Sequence, residues 1–80
     1  MEEFSMKQLL EVLARSLVDK PEMVVVNEVA HEHTVVLELS VAHEDMGKVI
    51  GKQGRIAKAI RTVVKAAAVK ENKKVVVEIK

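Results

Sequence analysis

Three glycines lie within eight residues, at Gly47, Gly51 and Gly54, and the last two bracket Lys52 and Gln53. Glycine takes positive φ without strain and lets another molecule approach the backbone. Charge around these glycines is one-sided. From Met46 through Lys70 there is no Asp or Glu, but there are Lys48, Lys52, Arg55, Lys58, Arg61, Lys65 and Lys70. These are seven of the 13 basic residues, so a formal charge of +1 hides a remainder that carries a net −6. Such a field is the electrostatic footprint of a chain that holds a polyanion. Arg55, Lys58, Arg61 or Thr62, and Lys65 recur every three to four residues, the spacing of one helix side. A basic helix side beside a glycine turn can hold a phosphodiester backbone. The turn admits the backbone, and N–H groups at the second helix's start point at a phosphate. Two plainer readings compete. A helix–helix turn needs a glycine at the first helix's C-cap, and a charge run can be an ordinary solvated face, although such faces usually mix signs.

Other chemistries have less support. There is no Cys, hence no disulfide framework and no thiolate site. One Phe and no Trp or Tyr exclude the modules that stack bases on aromatic platforms. His31 and His33, with His43, invite a metal, but their spacing specifies no ligand cluster and a polar loop accounts for the pair. Glu28 and Glu38 are solvated strand positions rather than an acid–base pair, because no His, Ser or Lys constellation accompanies them. No Gly-Lys-Ser/Thr follows the glycines, so they are not a P-loop. The chain reads as a binding module, not an enzyme, with no cofactor.

The elements that must position the glycines can be read from periodicity. At 80 residues and 8.9 kDa the chain is a single domain spanning 1–80. A first helix runs from about Met6 to Val18, with Met6, Leu9, Leu10, Leu13, Ala14 and Leu17 on its apolar side. Ser5 and Gln8 make a capping box, and Phe4 with Leu9 a hydrophobic staple. Pro21 closes this region. Strands follow at Met23–Val29 and Thr34–Val41, joined by the polar Ala30-His31-Glu32-His33. In the second, Val35, Leu37, Leu39 and Val41 face one way. A short helix from about Glu44 to Ile50 turns Met46, Val49 and Ile50 inward, with Glu44 and Asp45 suiting its positive end. A longer helix from Arg55 to about Val69 presents Ile56, Ala59, Ile60, Val63, Val64 and Ala67. Asn72 stops it, and Lys73–Ile79 is a third strand. The expected class is α+β, with three helices on one face of a three-stranded sheet in the order α-β-β-α-α-β. Val24, Val26, Val36 and Val76 are expected on the open side. That patch supports an alternative function, a protein-interaction or dimerisation module.

The segment Val49-Ile50-Gly51-Lys52-Gln53-Gly54-Arg55-Ile56-Ala57-Lys58-Ala59-Ile60 resembles the signature of a KH (K-homology) RNA-binding domain. Nearly the whole chain, from Leu17-Val18-Asp19-Lys20-Pro21-Glu22 through Glu44-Asp45-Met46-Gly47-Lys48 to the Val75–Ile79 ending, is similar to the small bacterial single-KH-domain proteins. His43 stands where many relatives have Pro. The resemblance implies the type II arrangement with a mixed sheet. It implies that Gly51, Lys52, Gln53 and Gly54 clamp about four nucleotides of single-stranded RNA. Ile50 and Ile56 would support the loop and the apolar floor of the groove. Lys52 and Arg55 would contact phosphates, Lys58 would extend the track and Lys48 would add to the rim. Val36 and Glu38 are candidates for a groove wall. The family's implied role is RNA chaperoning or post-transcriptional control, linked to cell shape and cell-wall growth. Its members form homodimers, or heterodimers with a second KH-containing protein. No apolar run approaches a membrane span, and Met1-Glu2-Glu3 has the wrong charge for a secretory leader, so the expected compartment is the cytoplasm.

Overall fold

The computed structural model describes residues 5–80. Helix α1 spans Met6–Leu17 and strand β1 Val25–Ala30, with a 3₁₀ turn at Pro21–Met23 between them. Strand β2 is Thr34–Ser40, and a second 3₁₀ turn, His43–Asp45, leads into the short helix α2, Met46–Ile50. A turn at Lys52–Gly54 separates α2 from α3, Arg55–Lys70, and strand β3 is Lys74–Ile79. The order is the expected α-β-β-α-α-β. The sheet runs β1-β2-β3, with β1 antiparallel and β3 parallel to the central strand. This is the mixed sheet of a type II KH fold.

Local chemistry explains the element ends. The Ser5 hydroxyl accepts the Gln8 N–H at 3.1 Å while Gln8 Oε1 accepts the Ser5 N–H at 3.0 Å, a complete capping box. The expected staple involves Phe4, which lies outside the described residues. At the far end of α3, Asn72 takes φ 57°. The Lys73 N–H then reaches Ala68 O at 2.9 Å and the Asn72 N–H reaches Val69 O at 3.0 Å. These two bonds form a Schellman turn with Asn in the left-handed position.

The core lies between the helices and the inner sheet face. Met6, Leu10 and Ala14 of α1 and Ile60, Val64 and Ala68 of α3 meet Val26, Val35, Leu37, Leu39, Val75 and Val77. β2 alternates strictly between buried and half-buried positions, as a central strand covered on one face must. Two sequence expectations about faces need correction. Val24 and Val26 are only 5% and 4% exposed and belong to the core. The outer face instead carries Val25, Asn27 and Val29, because β1 begins at Val25 after the 3₁₀ turn and Val25 pairs with outward-facing Ser40. A shift of one residue exchanges the two sides of a strand. Val29, Val36 and Val76 sit side by side in one row across the three strands. In α3 the buried line is Ala57, Ile60, Val64 and Ala68, and Ala59 and Val63 fall outside it. Ile60, Val64 and Ala68 of this line join the core under the sheet, and Val63 turns toward α1.

Candidate nucleic-acid interface

Every residue from Gly51 to Gly54 except Lys52 has positive φ: 75° at Gly51, 58° at Gln53 and 73° at Gly54. Gly51 ends α2, donating its N–H to Gly47 O at 2.8 Å. Its own carbonyl accepts the Gly54 N–H at 3.1 Å, closing the turn. A Cβ on Gly51 would lie 2.8 Å from Ile56 Cβ and 2.9 Å from the Ile56 backbone nitrogen. Glycine is therefore required there twice, for φ and for space. Gly54 needs glycine only for its left-handed backbone, since a Cβ would meet nothing within 4 Å. Gln53 holds the left-handed conformation without being glycine, an unfavourable state of about 1–2 kcal/mol. Its Oε1 accepts from Arg55 Nη2 at 3.2 Å. Strain of this kind gathers where a loop is shaped for a ligand.

The expected site residues divide into two groups. Lys52, Gln53, Arg55 and Lys58 are exposed around the turn, with Gly51, Gly54 and the partly buried Ile56 behind them. Ile50 was expected to face inward, but it is 38% exposed beside the loop, because α2 is too short to bury more than the Val49 side. Lys58, Arg61 and Lys65 share one side of α3, and Arg61 Nε donates to Val77 O of β3 at 3.2 Å. The basic stripe thus runs along the β3 side of the helix. Among the described residues none of Lys52, Arg55, Lys58, Arg61, Lys65 or Lys70 forms an ion pair. Their charge is uncompensated and open to an anion. Val36 and Glu38 are not brought to the loop; they lie on the outer sheet face.

Lys48 also points elsewhere. Its ammonium lies 2.7 Å from Asp19 Oδ2 and 3.2 Å from Asp45 Oδ1, and these two carboxylates raise its pKa. The sequence presents Asp45 as a charge suited to a helix start. It is instead fully buried, and its oxygens accept the Asp19 N–H at 3.2 Å and the Lys20 N–H at 3.0 Å. Burial pushes this carboxyl up, but the two backbone N–H groups and Lys48 together hold it below the usual aspartate value. Next to it Lys20 Nζ meets Glu44 Oε2 at 3.0 Å. The Asp45–Lys48 spacing of three residues was readable in the sequence. The partners 25 and 26 residues away were not.

The opposite side of α3 is apolar. Leu13, Ser16 and Leu17 of α1 and Ile56, Ala59, Ile60 and Val63 of α3 line a groove of about 240 Å³. No three or more His, Asp or Glu side chains converge on a metal-sized site among the described residues. No helix among them is long and apolar enough to cross a membrane.

Known proteins share this arrangement. The Era structure in complex with MgGDPNP and nucleotides 1506-1542 of 16S ribosomal RNA superposes with a TM-score of 0.64 at 17% identity, over 92% of this chain and 28% of that one. Aquifex aeolicus Era bound to GDP.AlF4- gives a TM-score of 0.65, again at 17% identity, over 92% of this chain and 29% of that one. At such identity the likeness concerns the fold alone. Sequence comparison goes further. The chain is 77% identical over 74 residues to the RNA-binding protein KhpA of Clostridium perfringens, covering 92% of this chain and 99% of that protein. Identity is 61% to the KhpA of Caldanaerobacter subterraneus and 49% to that of Chlamydia pneumoniae, covering 99% and 95% of those proteins and 92% of this chain in both cases. The family model described as KhpA/KhpB, KH domain, matches residues 7–79. With the glycine turn, the mixed sheet and nearly the whole chain accounted for, this protein belongs to the KhpA/KhpB family of bacterial KH-domain proteins.

Proposed function

We propose that the chain binds single-stranded RNA across Gly51-Lys52-Gln53-Gly54. The observation that carries this reading is a strained, glycine-bracketed turn set among cations that have no ion-pair partner among the described residues, in a stretch that contains no acid. The RNA backbone passes over Gly51 and Gly54. Lys52 and Arg55 contact phosphates and Lys58 continues the track along α3. These contacts fix position and give salt-dependent affinity, with little sequence preference. Ile50 and Ile56 supply an apolar floor for bases, which suits a chain without aromatic platforms.

Base preference comes from backbone groups next to the stripe. Lys74 and Lys80 donate their N–H groups to His33 O and Leu39 O of the β2 side. Successive strand residues alternate, so Val75, Val77 and Ile79 turn their backbone groups to the free edge. Arg61 already uses the Val77 carbonyl there. The remaining edge groups read donors and acceptors on a base. The accompanying role is that of a cytoplasmic RNA chaperone or post-transcriptional regulator, acting on RNAs tied to cell shape and cell-wall growth.

The test is fluorescence anisotropy with short single-stranded RNAs, comparing wild type with a Lys52→Asp, Gln53→Asp double variant. Circular dichroism verifies the fold and duplex RNA is the control ligand. Lost binding with an intact fold supports the site. Equal binding by both proteins removes it.

A second reading concerns protein association and rests on the α1–α3 groove. Its walls are apolar, and Val63 is 43% exposed at its edge. Apart from Ile56, which it shares with the proposed base floor, it lies on the side of α3 away from the basic stripe, so a second copy or another KH-containing protein can dock on its Leu13, Leu17, Ala59 and Val63 part while RNA is bound. Pairing of two weak RNA surfaces would raise affinity through multivalency. This groove is a better candidate than the open sheet face, whose expected Val24 and Val26 are buried. A monomer by sedimentation at micromolar protein, unchanged by Val63→Glu, would remove the homodimer.

A further inference from the structure

Asp45 is the one buried charged side chain among the described residues. It stands at the entrance of α2, whose other end is the first glycine of the loop. Its side chain makes no capping bond to α2. It reaches back instead to the corner between α1 and β1, accepting the Asp19 and Lys20 N–H groups, with the Lys48 ammonium bridging Asp45 and Asp19. A covered carboxylate persists only with such a full set of partners. Helix α2 has five residues, too few to hold a direction by its own hydrogen bonds. Val49 fixes one side of it in the core. The Asp45 cluster fixes its entrance. The Gly51 N–H is bonded to Gly47 O, so the loop leaves α2 in a set direction and any tilt of α2 is passed to it.

We infer that Asp45 is a positioning residue for the Gly51–Gly54 loop, and that Lys48 is its counter-ion rather than a phosphate contact. This inference rests on the proposed RNA reading of the loop. It removes Lys48 from the phosphate track and assigns it to the scaffold that aims the track.

The experiment compares Asp45→Asn, Lys48→Met and the loop double variant by RNA anisotropy at several salt concentrations. Thermal midpoints and amide NMR resonances accompany each titration. Asparagine keeps the shape of Asp45 but turns one acceptor into a donor toward a backbone N–H. Measured well below its midpoint, Asp45→Asn is expected to bind about five- to tenfold more weakly. Its salt slope should be unchanged. The amide resonances of Gly51–Gly54 should move while those of Leu10, Val35 and Val64 stay in place, which a general loss of stability would not produce. Lys48→Met should lower the midpoint and leave the salt slope intact. A slope shallower by about 0.7, the loss of one single-strand phosphate contact, would overturn the assignment of Lys48. Wild-type affinity and unmoved loop resonances in folded Asp45→Asn would overturn the positioning role. If Asp45→Asn does not fold, Lys48→Met decides: displaced loop resonances at constant slope uphold the inference, and undisplaced ones reject it. If the loop double variant still binds RNA like wild type, the RNA reading itself fails, a result separable from every outcome above.

Discussion

Gly51 and Ile56 pack so closely that a Cβ on the glycine would stand 2.9 Å from the Ile56 backbone nitrogen. The first residue of the loop and the first buried turn of α3 therefore share one space. A side chain flexes out of the way at little cost, but a backbone nitrogen in a helix does not. Gly51→Ala must displace the start of α3 or open the turn. Overpacking and the positive φ together predict a loss of roughly 2–4 kcal/mol. Urea denaturation would measure it. A loss below about 0.5 kcal/mol would show that the turn relaxes without strain.

The other two glycines should behave differently from Gly51 and from each other. Gly47 lies inside α2, and a Cβ there meets nothing within 4 Å. Gly47→Ala is expected to stabilise the fold by about 0.5–1 kcal/mol, because alanine loses less backbone freedom on entering a helix. Gly54 also has open space but sits at φ 73°. Gly54→Ala should cost about 1 kcal/mol and Gly54→Asn less, since Asn tolerates the left-handed region. Thermal midpoints in the order Gly47→Ala, wild type, Gly54→Asn, Gly54→Ala are the expected result. A destabilised Gly47→Ala would contradict the account of α2.

Acid should act on the Asp45 cluster. The folded carboxyl has a pKa below its ordinary value, whereas the unfolded chain titrates near the usual aspartate value of about 3.9. The unfolded state then binds protons first as pH falls. The stabilisation is complete above about pH 4 and declines as pH drops toward the folded value. Lys48 and Lys20 work at the other end, since their carboxylate partners raise both pKa values. Their contribution is complete below about pH 10.4 and is lost as pH rises through the folded values. Stability should therefore be level in this respect across neutral pH. Asp45→Asn should flatten the acid limb selectively, as seen by chemical denaturation between pH 2 and 6. An identical acid limb in that variant would assign the loss to other groups.

The left-handed Asn72 gives a prediction remote from the proposed RNA surface. Asn72→Gly should match or slightly raise the stability of wild type, while Asn72→Val, β-branched at φ 57°, should lose about 1–2 kcal/mol. Neither should change RNA affinity below its melting transition. Reduced affinity in folded Asn72→Val would mean that the far end of α3 is coupled to the loop.

Patterns with a local cause were legible in the sequence. The capping box needs only Ser5 and Gln8 three residues apart, and the α3 stop needs only Asn72 after the periodic run. The turn showed itself through glycine spacing, and its electrostatics through seven cations without an acid. What escaped depended on distant partners or on a shift of one residue. The faces of Val24 and Val26 turned on where β1 begins, which the Pro21–Met23 turn decides. The division of α3 between core and groove depended on which side of the helix meets the sheet and which meets α1, so that Ala57 and Ala68 are buried while Ala59 and Val63 line the groove. Asp45 looked like a surface charge at a helix start because nothing local announces that the Asp19 and Lys20 amides will meet it. The Asp19 partner of Lys48, 29 residues away, was hidden for the same reason.

The parallel pairing of β2 with β3 has a consequence for how the interface comes into being. Thr34 pairs with Lys74 and Leu39 with Ile79, so each pair closes a loop of 40 residues that contains α2, the glycine turn and α3. The β1–β2 hairpin closes over far fewer residues and can form early. Long closures are slow, because chain entropy is lost before distant contacts compensate. During synthesis, the strand that anchors Arg61 and supplies the free edge emerges after the glycine turn itself. A nascent chain thus carries the loop before it carries the strand edge that the proposed RNA path needs, and on that reading RNA affinity should appear only once β3 has docked.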